Sequence, residues 1–453
     1  MESSVLFSTL DNSFALDRQA KVLIVGLGET GFSVANFLHD LGLQFAVVDS
    51  RDKPPLIDRL VAEMPDVPVF TGGFDQAALD VATHLVVSPG VSLQENAIRR
   101  AALSGVRILS DIDLFASATD KPVLAITGSN GKSTVTTMLG AIGNAAGVKT
   151  AIGGNLGTPA LNLLQLDADL YVVELSSFQL ERTSRLNARA ATVLNVSPDH
   201  LDRHQSIVGY AAEKQRIFRG DGVMVLNADD PVVLSMKEAG RQCLTFSING
   251  RADFWLDNKS GQLLHHENEL LSRRDLPLEG KHNVANALAA LALGVAVGLD
   301  KKPMCKALKH FKGLDHRMQK VAEINGVTWV NDSKATNIGA CIAALEGYEK
   351  RVVLIAGGDS KGADMRELAP IAAKKTKAVI LLGKDASLIK TALGDCVPVF
   401  FASNMKEAVA IAAGLAERGE AVLLSPACAS LDQYKNYAER GTKFADAVEE
   451  LAQ

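Results

Sequence analysis

The sequence predicts an α/β protein of three domains: a Rossmann-like unit over residues 1–110, a central phosphate-loop unit over 111–313, and a second Rossmann-like unit over 314–453. Three observations predict it. Residues 21–31, KVLIVGLGETG, form an apolar run that breaks at Gly26-x-Gly28-x-x-Gly31, continues with helical spacing, and is followed by a second apolar run ending on Asp49. Residues 123–139, VLAITGSNGKSTVTTML, break at a small-residue loop and resume as a helix. Towards the C-terminus RVVLIAGG, AVILLG, VPVFFA and AVLLSPA alternate with helical segments, as in a doubly wound parallel sheet.

A chain of 453 residues has room for three domains that each bury a core. Its 47% apolar and 22% charged residues are those of a soluble globular protein. A net charge of −5 leaves no electrostatic footprint for nucleic acid, so none is expected as a partner. Residues 1–17 carry Glu2 and no basic stretch before an apolar core, unlike a secretory signal. The longest apolar run, 287–299, is too short to span a bilayer and reads as a buried helix, so no membrane partner is expected. Five widely spaced cysteines without a C-x-x-C pair predict reduced thiols and a cytoplasmic location.

In the first domain, Asp49 lies about 20 residues past the glycines, which completes the dinucleotide-binding fingerprint. A further run, HLVVSPGV, ends on Ser88-Pro89-Gly90, at a strand end that should face ligand. Dehydrogenases share this fingerprint with domains that hold other nucleotides. Asp49 could take the ribose of NAD, orient another nucleotide, or be a polar strand end. An NAD-dependent dehydrogenase is thus the alternative from another reaction class, but it has no use for a second, lysine-bearing phosphate cradle.

That cradle is Thr127-Gly128-Ser129-Asn130-Gly131-Lys132-Ser133, a shortened G-x-x-G-K-S loop with Ile126 where a strict Walker A has glycine. Its backbone and the following helix N-terminus suit an anion, Lys132 the β- and γ-phosphates, and the Ser133 hydroxyl Mg²⁺. Glu174 closes the apolar run LYVVE, where a phosphate-loop protein needs a carboxylate for its metal. His200 and His204 share a face if helical, but no third zinc ligand follows at motif spacing, and a helix start is the preferred reading of His204. His265-His266-Glu267 reads as a polar β turn. KHNVANALAALALGVAVG is a buried helix with His282, Asn283 and Asn286 at its start, where the amides could read a base edge or cap the helix. Read from the residues alone, Lys214 is a solvated helix charge.

GLDHRM, residues 313–318, is a polar break before the last domain. Strand ends there carry Asp332, Lys334, Thr336, Gly357-Gly358-Asp359, Lys361 and residues 425–430, which would line a cleft. Arg317 at the hinge could reach a phosphate across the gap or be a solvated linker charge.

Taken together, ITGSNGKST, GGNLG, VELSSFQLE, NVSPDHLDRH, YAAEK, GKHNVANALAA, HRMQ, NDSKATN, GGDSKGAD and SPACASLDQYKNYAERG resemble the Mur ligases of bacterial cell-wall synthesis, in order and over nearly the whole chain. SPACASLDQ is similar to members that add D-glutamate. Members that add L-alanine, and folylpolyglutamate synthase, share the phosphate loop and are the alternatives. The resemblance implies an ATP-dependent amide ligase. The carboxylate of UDP-N-acetylmuramoyl-L-alanine would take the γ-phosphate, and the amine of D-glutamate would attack the acyl phosphate.

It also implies roles. Gly128, Ser129, Asn130, Gly131, Lys132, Ser133 and Thr134 would hold ATP phosphates, with Ser133, Glu174 and His200 on Mg²⁺, of which two ions are expected. Asn155 would contact the reacting carboxylate, Asn283 and Asn286 adenine, Arg317 phosphate, and Asp332 and Lys334 the ribose. Lys214 matches a carbamylated lysine, the only form of that side chain able to ligate Mg²⁺, since an ammonium has no acceptor. Thr336, Lys361, Ser430 and Tyr437 would hold D-glutamate, and Thr30, Asp49, Ser50, Arg51 and Gly90 the uracil and diphosphate. The last domain would swing in to complete the site of a monomer.

Overall fold

Three β-sheets organise the computed structural model, which describes residues 10, 14–74, 76–199, 201–278, 280–313, 315–348 and 350–451. In the first domain β1 (Val22–Val25), β2 (Phe45–Val48), β3 (Val69–Phe70), β4 (His84–Val87) and β5 (Arg107–Leu109) lie in the order β3-β2-β1-β4-β5, all parallel. All four residues of β1 and of β4 are buried, as expected of central strands covered on both faces. Strand order reverses between β1 and β4, so the Gly26 turn and the Ser88–Gly90 loop flank the crevice where such sheets bind ligand. The helix Glu29–Asp40 packs hard onto that turn, because a Cβ on Gly31 would lie 1.9 Å from the Gly26 carbonyl oxygen.

The central sheet has nine strands: β6 (Val123–Thr127), β7 (Thr150–Gly154), β8 (Leu170–Glu174), β9 (Ala190–Val193), β10 (Val223–Asn227), β11 (Cys243–Ser247), β12 (Phe254–Asp257), β13 (Gln262–His265) and β14 (Asn268–Ser272). Their order is β14-β13-β12-β11-β10-β9-β6-β8-β7. From β7 to β12 neighbours run parallel, and β12, β13 and β14 are joined as antiparallel hairpins, as the turn-rich sequence there suggests. The fully buried β6 sits between β8 and β9, a second switch point, and leads into the helix Lys132–Ala145. The apolar run near residue 290 is the helix Lys281–Ala296, whose Ala287–Leu293 stretch is wholly buried in the core shared with that helix. Among the described residues no helix is long and apolar enough to cross a membrane.

The last sheet, β15 (Gln319–Ile324), β16 (Val327–Asn331), β17 (Val352–Ala356), β18 (Thr376–Leu381), β19 (Val399–Phe401) and β20 (Ala421–Leu424), has the order β15-β16-β20-β17-β18-β19. Only β15 runs antiparallel to its neighbour. Polar joints hold the domains together. Arg182 beside the central sheet donates to the Ser88 carbonyl after β4 at 2.6 Å, and Asp113, in the helix that leads from β5 to β6, accepts from the Ser184 and Arg185 amides at 2.7 and 2.8 Å. Arg317 of the last domain donates to Thr134 Oγ1 on the phosphate-loop helix at 2.9 Å. These joints bring the carboxyl ends of the central and last sheets to one cleft.

Because the Gly31 site has no room for a methyl group, Gly31→Ala should destabilise the first domain by about 1–3 kcal/mol through overpacking against the Gly26 carbonyl. Denaturant unfolding of the variant beside the native chain measures it, and an unchanged midpoint would contradict the packing described.

Candidate active site

The phosphate loop takes its shape from glycines and one asparagine. Gly128 has φ +149° and lies against Leu194, where a Cβ would stand 3.0 Å from the leucine Cβ. Gly131, at φ +88°, starts the helix, and a Cβ there would meet Asn286 Oδ1 at 2.5 Å. Asn195 clamps the loop by accepting from the Asn130 amide at 2.8 Å and donating to the Asn130 carbonyl at 3.0 Å. The Ser129 amide donates to the Asn195 carbonyl. Two of the loop's amides are therefore committed internally, and the anion-binding donors are those of the first helical turn after Gly131. Ser133 and Thr134 are buried in that turn.

Lys132 folds back over the loop, its Nζ donating to the carbonyls of Gly128 at 2.8 Å and Ser129 at 3.0 Å. Burial lowers its pKa, against the pull of Glu174 and Asp199. Lys214, in the helix Ile207–Gln215, is fully buried rather than the solvated charge its residue type suggests. Its Nζ donates to the same Gly128 carbonyl at 2.9 Å and lies 4.3 Å from the Tyr210 ring centroid. Burial first, and then repulsion from Lys132, lower its pKa well below that of a free lysine.

Glu174 ends β8, the strand beside β6, with 1% exposure. Its Oε1 accepts from Asn155 Nδ2 at 2.7 Å, and the Asn155 amide donates to the Glu174 carbonyl. Its Oε2 is buried without a hydrogen-bond partner among the described residues. A carboxylate oxygen in that condition needs a cation or a donor that the described residues do not supply. With Ser133 at the start of the neighbouring helix, the set fits a hard, oxygen-seeking cation such as Mg²⁺. His200 lies outside the described residues. His204 bonds Ser177 through Nε2 at 2.9 Å and stacks on Phe178, an ordinary packing role.

A cavity of about 230 Å³ opens between the central and last domains, lined in part by Gly131, Asn286, Arg317, Asp332 and Lys334. Asn286 donates to Asn283 at 3.3 Å, so the amides at the start of the Lys281–Ala296 helix orient one another. His282, beside them, is pushed down to about 4 by burial and by Arg317, and is neutral at physiological pH. Asp332 follows β16 and accepts from the Met318 amide at 3.2 Å and from Ser425 Oγ at 2.9 Å. Burial pushes its pKa up to about 7. Lys334 lies over the Tyr437 ring at 4.0 Å.

Lys361 adopts a left-handed φ of +53°, and its Nζ pairs with Asp199 Oδ1 of the central domain at 3.2 Å. Asn337 donates to the other Asp199 oxygen at 3.0 Å while its own oxygen caps the helix Ile338–Glu346. Thr336 is partly buried just before that cap, and Ser430 is buried in the loop after β20. Arg440, 2% exposed, holds these loops together by donating to Ser333 Oγ, the Ser333 carbonyl and the Cys428 carbonyl at 3.0, 2.8 and 3.1 Å. Burial pushes its pKa down to about 10. Asn195, Asn337 and Arg440 were not singled out from the sequence, although each sits inside or beside a motif that was.

The first-domain residues stand elsewhere, at the carboxyl ends of β1, β2 and β4. Asp49 is buried and saturated: it accepts from the Leu27 amide at 2.7 Å and, through both oxygens, from Arg51 at 2.6–2.9 Å. Those donors lower its pKa against the opposing effect of burial. Asp49 thus braces the glycine turn and aims Arg51. Thr30 is partly exposed in the first turn of the Glu29–Asp40 helix, and Ser50, Arg51 and Gly90 are exposed around the crevice.

Comparison with known proteins agrees with this arrangement domain by domain. Residues 20–110 match the family description Mur ligase MurD-like N-terminal domain, 126–294 the Mur ligase middle domain, and 316–428 the Mur ligase glutamate ligase domain. The chain is 53% identical over 441 residues, 96% of each chain, to UDP-N-acetylmuramoylalanine–D-glutamate ligase of Methylococcus capsulatus. It is 51% identical to the Pseudomonas aeruginosa protein of that name, over 95% of this chain and 98% of that one. In fold it is similar to a pseudomurein peptide ligase type C of Methanothermus fervidus (TM-score 0.64, 21% identity, 95% and 100% coverage). It is likewise similar to UDP-N-acetylmuramate-alanine ligase of Thermotoga maritima (TM-score 0.61, 17% identity, 95% and 99% coverage). With a buried phosphate loop, a partner-seeking Glu174 and this likeness along all three domains, the chain belongs to the Mur ligase family.

Proposed function

We propose that the chain is an ATP-dependent amide ligase that joins D-glutamate to the carboxylate of UDP-N-acetylmuramoyl-L-alanine in peptidoglycan precursor synthesis. The observation that carries the chemistry is Glu174, whose buried, unpartnered oxygen stands with Asn155 beside the Lys132 loop. The choice of substrates rests on the likeness to D-glutamate ligases over 96% of the chain. An acyl-transfer step that begins with a phosphate requires charge neutralisation and alignment more than covalent help.

In this reading the first-turn amides after Gly131, with Gly128, Ser129, Asn130, Ser133 and Thr134 around them, receive the ATP phosphates, and Lys132 turns from its carbonyls onto the γ-phosphate. Arg317, already on Thr134, clamps the phosphates from the last domain, while Asn283 and Asn286 meet adenine and Asp332 and Lys334 the ribose. Asn155 orients the substrate carboxylate, whose oxygen attacks the γ-phosphorus as ADP leaves. The D-glutamate nitrogen then attacks the acyl carbon, phosphate leaves, and the nitrogen loses a proton. Ser133, Glu174, His200 and a carbamylated Lys214 would hold Mg²⁺, with two ions expected, and the metal would supply charge neutralisation for the transferring phosphoryl group.

Carbamylation of Lys214 is supported by the contact it would relieve. Two lysines share the Gly128 carbonyl. The Lys214 ammonium first gives up one proton, and the amine then adds to CO₂, forming an N–C bond, opening one C=O π bond and releasing a second proton, so that a cation beside Lys132 becomes an anion. Thr336, Lys361, Ser430 and Tyr437 would receive D-glutamate, Lys361 exchanging Asp199 for the ligand carboxylate. Thr30, Ser50, Arg51 and Gly90 would hold the uracil and diphosphate, with Asp49 bracing the glycine turn and aiming Arg51. We take the domains to divide at residues 110 and 313, and the enzyme to work as a cytoplasmic monomer.

Phosphate release from ATP with UDP-N-acetylmuramoyl-L-alanine, run against a panel of amino acids, should respond to D-glutamate; equal turnover of L-alanine would reassign the chain within the family. Lys132→Ala should lower kcat by about 10²–10³-fold, since the ammonium acts mainly as charge develops on the phosphoryl group. Lys214→Ala should abolish activity and recover part of it with added short carboxylic acids; full activity without them, or only free amine in the native protein by ¹³CO₂ NMR, would remove the carbamate. Lys361→Ala should raise the KM for D-glutamate by about two orders of magnitude with ATP little affected. An unchanged KM would place the amino-acid cation elsewhere.

A further inference from the structure

Arg182 ends the helix Ser177–Arg182, which begins three residues after Glu174, and its side chain is 0% exposed. Nε donates to the Phe178 carbonyl of its own helix at 2.8 Å. The two terminal nitrogens cross to the first domain. Nη1 donates to the Ser88 carbonyl at 2.6 Å and the Val91 carbonyl at 3.2 Å, with Val87 at 3.3 Å, and Nη2 donates to the Val91 carbonyl at 3.2 Å. Among the described residues, the carboxylate in direct contact is the neighbouring Glu181, at 3.1 Å. A guanidinium buried chiefly on the main-chain oxygens of another domain pays a desolvation cost that an apolar side chain would avoid. What it provides instead is a planar, directional fork.

Both ends of that fork lead to the reaction. The loop it holds, residues 88–91, contains the exposed Gly90 and is tied to the glycine turn: Ser88 Oγ donates to the Gly26 carbonyl at 2.8 Å, and Val91 stands 3.0 Å from where a Gly26 Cβ would be. On the other side the helix is fixed by a Ser176–Gln179 capping box. The strand end just before it is pinned to the phosphate-loop strand, the Leu175 amide donating to the Ile126 carbonyl at 2.8 Å and Thr127 Oγ1 donating to the Leu175 carbonyl at 2.7 Å.

We propose that Arg182 is a positioning residue that holds the nucleotide-binding loop of the first domain in register with Glu174 and the phosphate loop. The inference rests on the function proposed above in one respect, that a single substrate spans both places. Binding energy at its nucleotide end can then act on the distant carboxylate only if the two places keep a fixed separation. Arg182 touches neither the reacting atoms nor the nucleotide.

The test compares Arg182→Met and Arg182→Lys with the native chain, measuring kcat by phosphate release per folded molecule and the affinity for UDP alone by calorimetry. Arg182→Met should lose about a hundredfold in kcat, the size of a misplacement near 1 Å, while binding UDP within threefold of native. Arg182→Lys, which keeps the charge and part of the hydrogen bonding, should recover part of the loss. If Arg182→Met does not fold, Arg182→Lys carries the test alone, with the same division and about a tenfold loss of kcat. Native-like kcat in the folded variants, or a fall in UDP affinity that matches the fall in kcat, would overturn the proposal. A native protein that releases no phosphate with UDP-N-acetylmuramoyl-L-alanine and D-glutamate, yet binds UDP, would overturn the proposed function and this inference with it.

Discussion

The Gly128 carbonyl is the point on which the site turns, because it accepts at once from the buried Lys214 and the partly buried Lys132. Placing two cations on one oxygen in a desolvated pocket is unfavourable unless counter-charge arrives. Glu174 and Asp199 supply part of it from the walls, and burial together with the Lys132 charge eases the rest by lowering the Lys214 pKa towards the neutral amine. Seen this way, the loop is organised to receive anions, and its own hydrogen bonds are arranged to leave the helix amides available. Asn195 makes that possible by using its side-chain amide to pair with Asn130 as a strand would.

Around this centre the three sheets contribute by the same geometric rule. Each presents polar residues at the carboxyl ends of its central strands: the Gly26 and Ser88 loops in the first, the phosphate loop and Glu174 in the second, and Asp332 with the Gly357–Gly358 turn in the third. What turns three such edges into one site is the set of polar joints between them. Arg317 on Thr134 and Lys361 and Asn337 on Asp199 cross from the last domain to the central one. Arg182 crosses from the central domain to the first. All are directional, and two of them converge on the single carboxylate of Asp199.

The first domain shows how a motif can be right about fold and open about chemistry. Its glycines and Asp49 lie where the dinucleotide fingerprint requires, yet both Asp49 oxygens are occupied by Leu27 and Arg51. A carboxylate so saturated is poorly placed to take a ribose, and its role passes to orienting the arginine. The same lesson runs the other way at Lys214, which residue type assigns to solvent and the fold places in the deepest part of the site.

By itself the sequence determined the three α/β units, the two strand–glycine–helix turns and the residues that end the central strands, because these depend on local periodicity and on backbone conformations that few residues other than glycine adopt. It also placed Lys132, Glu174, Asn155 and Arg317 in motifs whose order along the chain is enough to suggest their company. Only the tertiary structure decided that one Glu174 oxygen finds no partner among the described residues, that Lys214 shares a carbonyl with Lys132, that Asp199 engages Lys361, and that Arg182 and Arg440 are buried on main-chain oxygens. Each of these is a contact between residues far apart in the chain, and whether a charge there is solvated, paired or stranded depends on the neighbours that folding brings.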